Sequence, residues 1–258
     1  APFLMGASKS SNAFQLDTGR ALMSGLRIAW TFEEASGSRF DRSGNTNTLA
    51  DNNTVAVSTG RIDSAALFVS ANSEYLSIAD NADVGPGDVT WSLTCWVYLN
   101  TTAGRMAIVS KANPDNPNLG GRPYKLTYYD TNRYGFQLQP AGAGDREVFI
   151  TGASLNVWQF LEIGHDPTSD TFYGTLNGGG RVTLEVSGGF ATSGTTFEVG
   201  RRQNNTQFLD GLVDEIFIWN RTLGTAELSD LYRAGSGNRV NTDYLDGRID
   251  EAGIWKKV

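Results

Sequence analysis

Apolar and polar residues alternate along most of the chain in short runs broken by turn-forming residues, the period-two signature of half-buried strands. From Gly25 to Glu33 the alternation places Leu26, Ile28, Trp30 and Phe32 on one face. The strongest run is Trp91-Ser92-Leu93-Thr94-Cys95-Trp96-Val97-Tyr98-Leu99. Further strands are predicted at 65–70, 74–79, 106–111, 124–130, 134–139, 147–151, 158–164, 171–177, 182–187 and 196–200. Asn177-Gly178-Gly179-Gly180 and Ser187-Gly188-Gly189 punctuate the later ones as hairpin-type turns. A single helix is expected from Ala226 to Ala234, capped by Thr225, with Leu228, Leu231 and Tyr232 as its apolar stripe and Gly235 as its stop. Many short strands with frequent turns predict a sandwich or barrel.

One element occurs twice. Leu209-Asp210-Gly211-Leu212-Val213-Asp214-Glu215-Ile216-Phe217-Ile218-Trp219 returns as Leu245-Asp246-Gly247-Arg248-Ile249-Asp250-Glu251-Ala252-Gly253-Ile254-Trp255. The first copy reads as a turn and a closing strand. Its acidic pair Asp214-Glu215 is costly in an apolar strand unless a metal ion or a buried cation compensates it. The second copy has lost bulk at Ala252 and Gly253 and reads as a strand used for contact, with Leu245, Ile249, Ile254 and Trp255 as assembly residues.

Composition narrows the function. At 258 residues, with a formal net charge of −7 and no Lys/Arg cluster, the chain lacks the basic surface of a nucleic-acid binder. Its charge would suit divalent cations. The one cysteine, Cys95, sits in an apolar strand and reads as a buried thiol; the one histidine, His165, has no second His or Cys beside it for a zinc site. No apolar run is long enough for a transmembrane helix, so no membrane insertion is expected. The first residues show no signal peptide, and Ala1 fits removal of an initiator Met or of a leader equally.

Four segments in order carry a resemblance: Leu26 to Glu34 leading into Phe40-Asp41-Arg42-Ser43-Gly44-Asn45; Trp91 to Val97; Trp158-Gln159-Phe160-Leu161 followed by Tyr173 to Gly178; and Leu209 to Leu231. Together they resemble the laminin-G-like, concanavalin-A-like jelly rolls, in particular their bacterial and viral branch. The resemblance covers roughly residues 22–235 and implies an all-β fold, two stacked antiparallel sheets with one short C-terminal helix. The expected organisation is an N-terminal arm (1–20), a jelly-roll domain (21–235) and a C-terminal extension (236–258).

The resemblance also implies a structural calcium ion between the early Asp-x-Ser-Gly-Asn loop and the late Asp-Glu strand. Asp41, Gly44, Asn45 and Asp214 are the expected ligands, since calcium takes six to eight oxygens. The competing reading is an Asx-turn at Asp41, with the strand carboxylate bonded to Arg39 or Arg221.

No enzyme is expected. Glucanase relatives use carboxylates spaced E-x-D-x-x-E, which alternation aims into one groove, whereas Asp214 and Glu215 are adjacent and should point to opposite faces. A binding module would stack sugar rings on aromatics around the Pro/Asn-rich loop 113–123. Tyr124, Tyr128 and Tyr134 are the candidates there, with Asn204 and Asn205 as a second polar loop. The arm, the spare strand and a Phe-Leu-x-Gly-Ala opening resemble bacteriophage surface and fibre components. The expectation is therefore a virion structural or decoration protein, with a calcium-dependent, lectin-like module of a secreted or cell-surface protein as the alternative. Its partners would be glycans or neighbouring subunits in a homo-oligomer or larger assembly, at a virion surface or an extracellular or cell surface.

Overall fold

The computed structural model of the chain describes residues 18–112, 123–140, 144–186, 189, 193–238 and 240. Its strands are β1 (Leu26–Trp30), β2 (Ala50–Asn52), β3 (Ala56–Thr59), β4 (Ser64–Phe68), β5 (Tyr75–Ile78), β6 (Trp91–Leu99), β7 (Met106–Lys111) and β8 (Tyr124–Tyr129). After these come β9 (Arg133–Leu138), β10 (Arg146–Thr151), β11 (Trp158–Asp166), β12 (Thr171–Leu176), β13 (Val182–Glu185), β14 (Phe197–Val199) and β15 (Gly211–Trp219). Two short helices flank them, α1 (Thr18–Met23) and α2 (Thr225–Tyr232).

The strands form two antiparallel sheets. One runs β13-β12-β11-β6-β15-β4-β3, with β1 also paired to β15; the other runs β10-β9-β8-β7-β14-β5-β2. This is the jelly-roll sandwich the sequence implied. Between the sheets lies the main core, which takes Ile28, Trp30, Trp91, Leu93, Cys95, Val97, Tyr124, Tyr128, Phe136, Ile163 and Ile216, all buried. Burying each such side chain is worth about 1.5–3 kcal/mol before entropy is charged against it.

The eight-stranded sheet is apolar on its outer face too. Trp96, Phe160, Phe217 and Trp219 occupy alternate positions there and form a second core with Leu22, Leu228, Leu231 and Val240. Helices α1 and α2 cover it, and the Trp219 indole donates to Leu22 O at 2.7 Å. Leu26 joins this second core rather than the face of Ile28, Trp30 and Phe32, because the β1–β15 register slips between Leu26 and Ile28. A one-residue slip moves a side chain to the other face.

Helix α1 begins inside the segment expected to be an arm. Helix α2 is capped by Gly224, not Thr225: the Glu227 carboxylate accepts from Gly224 N at 2.8 Å, so the chain enters the helix one residue earlier than Thr225 capping would require. Arg221 pairs with Glu227 at 2.6 Å and also donates to Ser24 O and Ala21 O, tying both helices to the end of β15.

Candidate functional site

The turn that follows β1 is organised by one carboxylate. Asp41 Oδ1 accepts from Ala29 N (2.9 Å) and Ser43 N (2.8 Å), while Oδ2 accepts from Asn47 N and Asn47 Nδ2 (both 3.1 Å). Four donors fill the four lone-pair sites of a carboxylate. Ser43 Oγ and Asn45 Nδ2 both donate to Arg27 O at 2.9 Å, fixing the backbone of β1 beneath the turn.

From this turn a polar relay reaches the segment before β6. Buried Asn47 donates to Asp83 Oδ2 at 3.0 Å and accepts from Asn81 Nδ2 at 3.1 Å, and Asn81 Oδ1 accepts from Asp83 N at 2.9 Å. Asp83 is thereby held facing Arg27, with Nε and Oδ1 3.9 Å apart. With its amide oriented to satisfy both neighbours, Asn220 donates to Gly25 O (3.0 Å) and accepts from Arg27 Nη2 (3.1 Å).

Arg27, Asp83 and Asn220 line an open cleft of about 440 Å³, whose remaining walls include Pro86, Val89, Thr90, Ile218 and Trp219. A few oriented polar groups against an apolar wall is the usual make-up of a small-ligand site, and the volume lies in the usual range of about 300–1,000 Å³. The carboxylate offers acceptors and the guanidinium offers donors, a pairing suited to a polyhydroxylated ligand. Sequence reading missed both residues. The available signal was Arg27, a cation on an otherwise apolar strand, directly before the Asp-x-Ser-Gly-Asn turn.

The expected calcium set does not hold together at this turn. Asp41 spends its lone pairs on N–H groups and so closes an Asx-type turn, and Asn45 turns its amide nitrogen toward Arg27 O. Gly44 serves the turn through its positive φ of 93°. Asp214 faces a different part of the chain, accepting from Ile62 N at 2.9 Å through Oδ2. Among the described residues no group of three or more His, Cys, Asp or Glu side chains gathers as a metal cage.

The two arginines proposed for Asp214 are engaged elsewhere, Arg39 with Val55 O at 2.9 Å and Arg221 with Glu227. Asp214 is fully buried, and burial pushes its carboxyl up to about 8 although the backbone N–H groups of Ile62, Arg61 and Glu215 oppose the rise; the nearby charge of Glu33 adds to it. Strict alternation also fails at the acidic pair. The β15–β6 register breaks between Asp214 and Phe217, and Glu215 takes a positive φ of 50° at this bulge.

Tyr124, Tyr128 and Tyr134 are core residues, not ligand contacts: each is at most 1 % exposed. Alternation turns them inward, where Tyr124 packs against Trp91 (4.9 Å, rings inclined at 40°) and donates to Val84 O, and Tyr134 donates to Gln159 Oε1. Asn204 and Asn205 are exposed, and both adopt positive φ in the turn bridged by Arg202 and Thr206. Their side-chain oxygens accept from Thr206 Oγ1 and from Arg201, which makes them turn residues. Leu245, Ile249, Ile254 and Trp255, residues 1–17 of the expected arm, and residues 113–122 of the 113–123 loop lie outside the described residues.

Other buried ionisable groups have structural roles. Glu162 meets Arg181 at 2.5 and 3.0 Å, and burial outweighs this partner and raises its carboxyl. Burial likewise raises the Cys95 thiol, as expected of a packing cysteine.

The two stacked antiparallel sheets define a concanavalin A-like jelly roll. The chain belongs to the concanavalin A-like lectin/glucanases superfamily, whose laminin-G family model matches residues 70–229. No curated protein matches the chain at a significant level. Among solved structures, the binding domain of Paraclostridial mosquitocidal protein 1 is similar at 14% identity and TM-score 0.67, covering 82% of this chain and 52% of its own. The binding domain of botulinum neurotoxin DC in complex with SialylT is similar at 12% identity and TM-score 0.63 (83% and 52% covered). The same binding domain in complex with rat synaptotagmin II gives 13% identity and TM-score 0.64 (81% and 51%). The chain spans about half the length of these structures, and the likeness is one of fold.

Proposed function

We propose that the chain is a non-enzymatic recognition module that binds a glycan in the Arg27–Asp83 cleft. The observation that carries this reading is the relay from the Asp41 turn through Asn47, which orients a carboxylate opposite a guanidinium in an open cleft. The superfamily's lectins and the toxin binding domain in complex with SialylT support a sugar ligand. The complex with rat synaptotagmin II keeps a protein receptor as the second reading. The proposed setting is an exposed surface, that of a virion or of a cell, with a virion structural or decoration role as the specific case.

The test is a glycan array read with the parent chain and with Arg27→Ala and Asp83→Ala. Both variants are expected to fold, because an ion pair at 3.9 Å between an exposed arginine and a half-buried aspartate adds under about 1 kcal/mol and Asn47 Nδ2 keeps Asp41 Oδ2 as its acceptor. Each is expected to lose the signal of at least one class of glycan that the parent binds. An array pattern that both substitutions leave unchanged for every glycan would move recognition elsewhere on the sandwich, and hydrolysis of a β-glucan would overturn the non-enzymatic reading.

A further inference from the structure

The outer face of the eight-stranded sheet holds an aromatic row that the helices leave open. Leu212 on β15 pairs with Tyr98 on β6, and Tyr98 pairs with Trp158 on β11, so the register sets the three side by side across the sheet. In the adjacent row, Trp96 and Phe160 are covered by Tyr232 of α2, at ring separations of 5.9 and 6.2 Å. Tyr98 and Trp158 stand beyond that cover and are partly exposed. Their ring centroids are 5.5 Å apart with planes inclined at 59°, an open V rather than a flat stack. Ser58 and Thr59 of the edge strand β3, with Leu212, complete a depression of about 270 Å³.

The chemistry of this depression narrows its occupant. Its walls are two π faces and its other polar side-chain groups are hydroxyls, while none of its five lining side chains is charged. A phosphate or carboxylate bound there would lose water without gaining a counter-charge. A pyranose ring matches it: the C–H-bearing face lies on an aromatic ring, and hydroxyls at the ring edge meet Ser58, Thr59 and the Tyr98 phenol. Leu212 and Trp219 lie seven positions apart on β15, about 20 Å along an extended strand, so a sugar here does not occupy the Arg27–Asp83 cleft.

We propose that the Tyr98–Trp158 depression is a second subsite, for a neutral hexopyranose ring, separate from the cleft. The test uses ¹⁵N-labelled full-length chain and a panel of neutral tetrasaccharides (cello-, malto-, galacto- and manno-tetraose). The Trp158 indole resonance is assigned by its loss in Trp158→Phe. At least one tetrasaccharide is expected to shift that resonance in the parent and equally in Arg27→Ala. Affinity should fall about tenfold in Trp158→Ala and in Tyr98→Ala, and Trp158→Phe should restore most of it. An indole resonance that stays fixed across the panel overturns the proposal. So does a shift that Arg27→Ala abolishes, which would assign the sugar to the cleft alone. A changed sedimentation coefficient on Trp158→Ala without sugar would identify a second copy of the chain as the occupant, and would also overturn it.

Discussion

Asp41 and Asp214 were expected to share one ion, yet they solve opposite problems. Asp41 lies at a half-buried turn and is satisfied by four N–H groups from three residues. Asp214 lies inside the closing strand, fully buried, with Oδ2 on Ile62 N at 2.9 Å and with backbone donors too weak to offset its burial. The first carboxylate organises the chain around it. The second is tolerated by a fold that gains more from the apolar residues of β15 than it loses at one acid. A charge's value to a fold follows from the donors the backbone can turn toward it, more than from its depth.

Removing the first carboxylate should have the largest effect. Asp41→Ala leaves Ala29 N, Ser43 N and both Asn47 donors without their acceptor, and hydrogen bonds to a charged group are worth about 1.5–3 kcal/mol each without being additive. A loss of about 3–5 kcal/mol in denaturant unfolding is expected. Asp41→Asn should recover little, because its amide nitrogen would face N–H donors. A loss below about 1 kcal/mol for both variants would mean that the turn is held by something other than this carboxylate.

Asp214 should behave in the opposite sense. Its folded value of about 8 lies above the ordinary 3.8, so the folded state prefers the protonated acid. Stability from this group is complete below about pH 4 and is lost as the pH rises through 8. Between pH 5 and 7 the folded chain holds about one more proton than the unfolded one, which costs about 2–3 kcal/mol over those two units. Asp214→Asn removes that slope while keeping an oxygen for Ile62 N. Unfolding free energies at pH 5 and 7 in parent and variant measure it, and parallel pH profiles would show that Asp214 is charged when folded.

The same contrast explains how far the sequence could be read. Long apolar and aromatic runs such as β6 and β11 declare themselves as strands and indicate a sandwich or barrel, while the two stacked sheets were implied by the family resemblance. Three-residue β2 and the exposed edge strand β3 carry too few apolar positions to register. The misplaced side chains sit at backbone irregularities: Leu26 beside a register slip, and Asp214-Glu215 at a bulge with a positive φ. No composition rule announces these, because each is set by the partner strand. The tyrosines failed for another reason. Period two separates two faces but does not say which is covered, and β8 is buried along its whole length. Arg27 and Asp83 lie 56 positions apart and face each other at 3.9 Å with Asn47 holding the carboxylate, a contact that local pattern cannot encode.

The smallest expected effect is that of a chelator, and it bears most directly on the two acids. A calcium ion at Asp41 would have to displace N–H donors from lone pairs already filled, and Asp214 would have to leave Ile62 to join it. Calcium therefore remains a proposal for the superfamily's sake, and the geometry of this turn argues for stability without it. A resident ion present at 100 times its dissociation constant would add about 2.7 kcal/mol, or roughly 5–10 °C for a domain of this size. Excess EDTA is expected to shift the melting temperature by less than about 1 °C, well below that calcium-linked figure. A fall of several degrees, reversed by added calcium and absent in Asp41→Ala, would mean that the turn rearranges to bind the ion. The two carboxylates would then be partners after all.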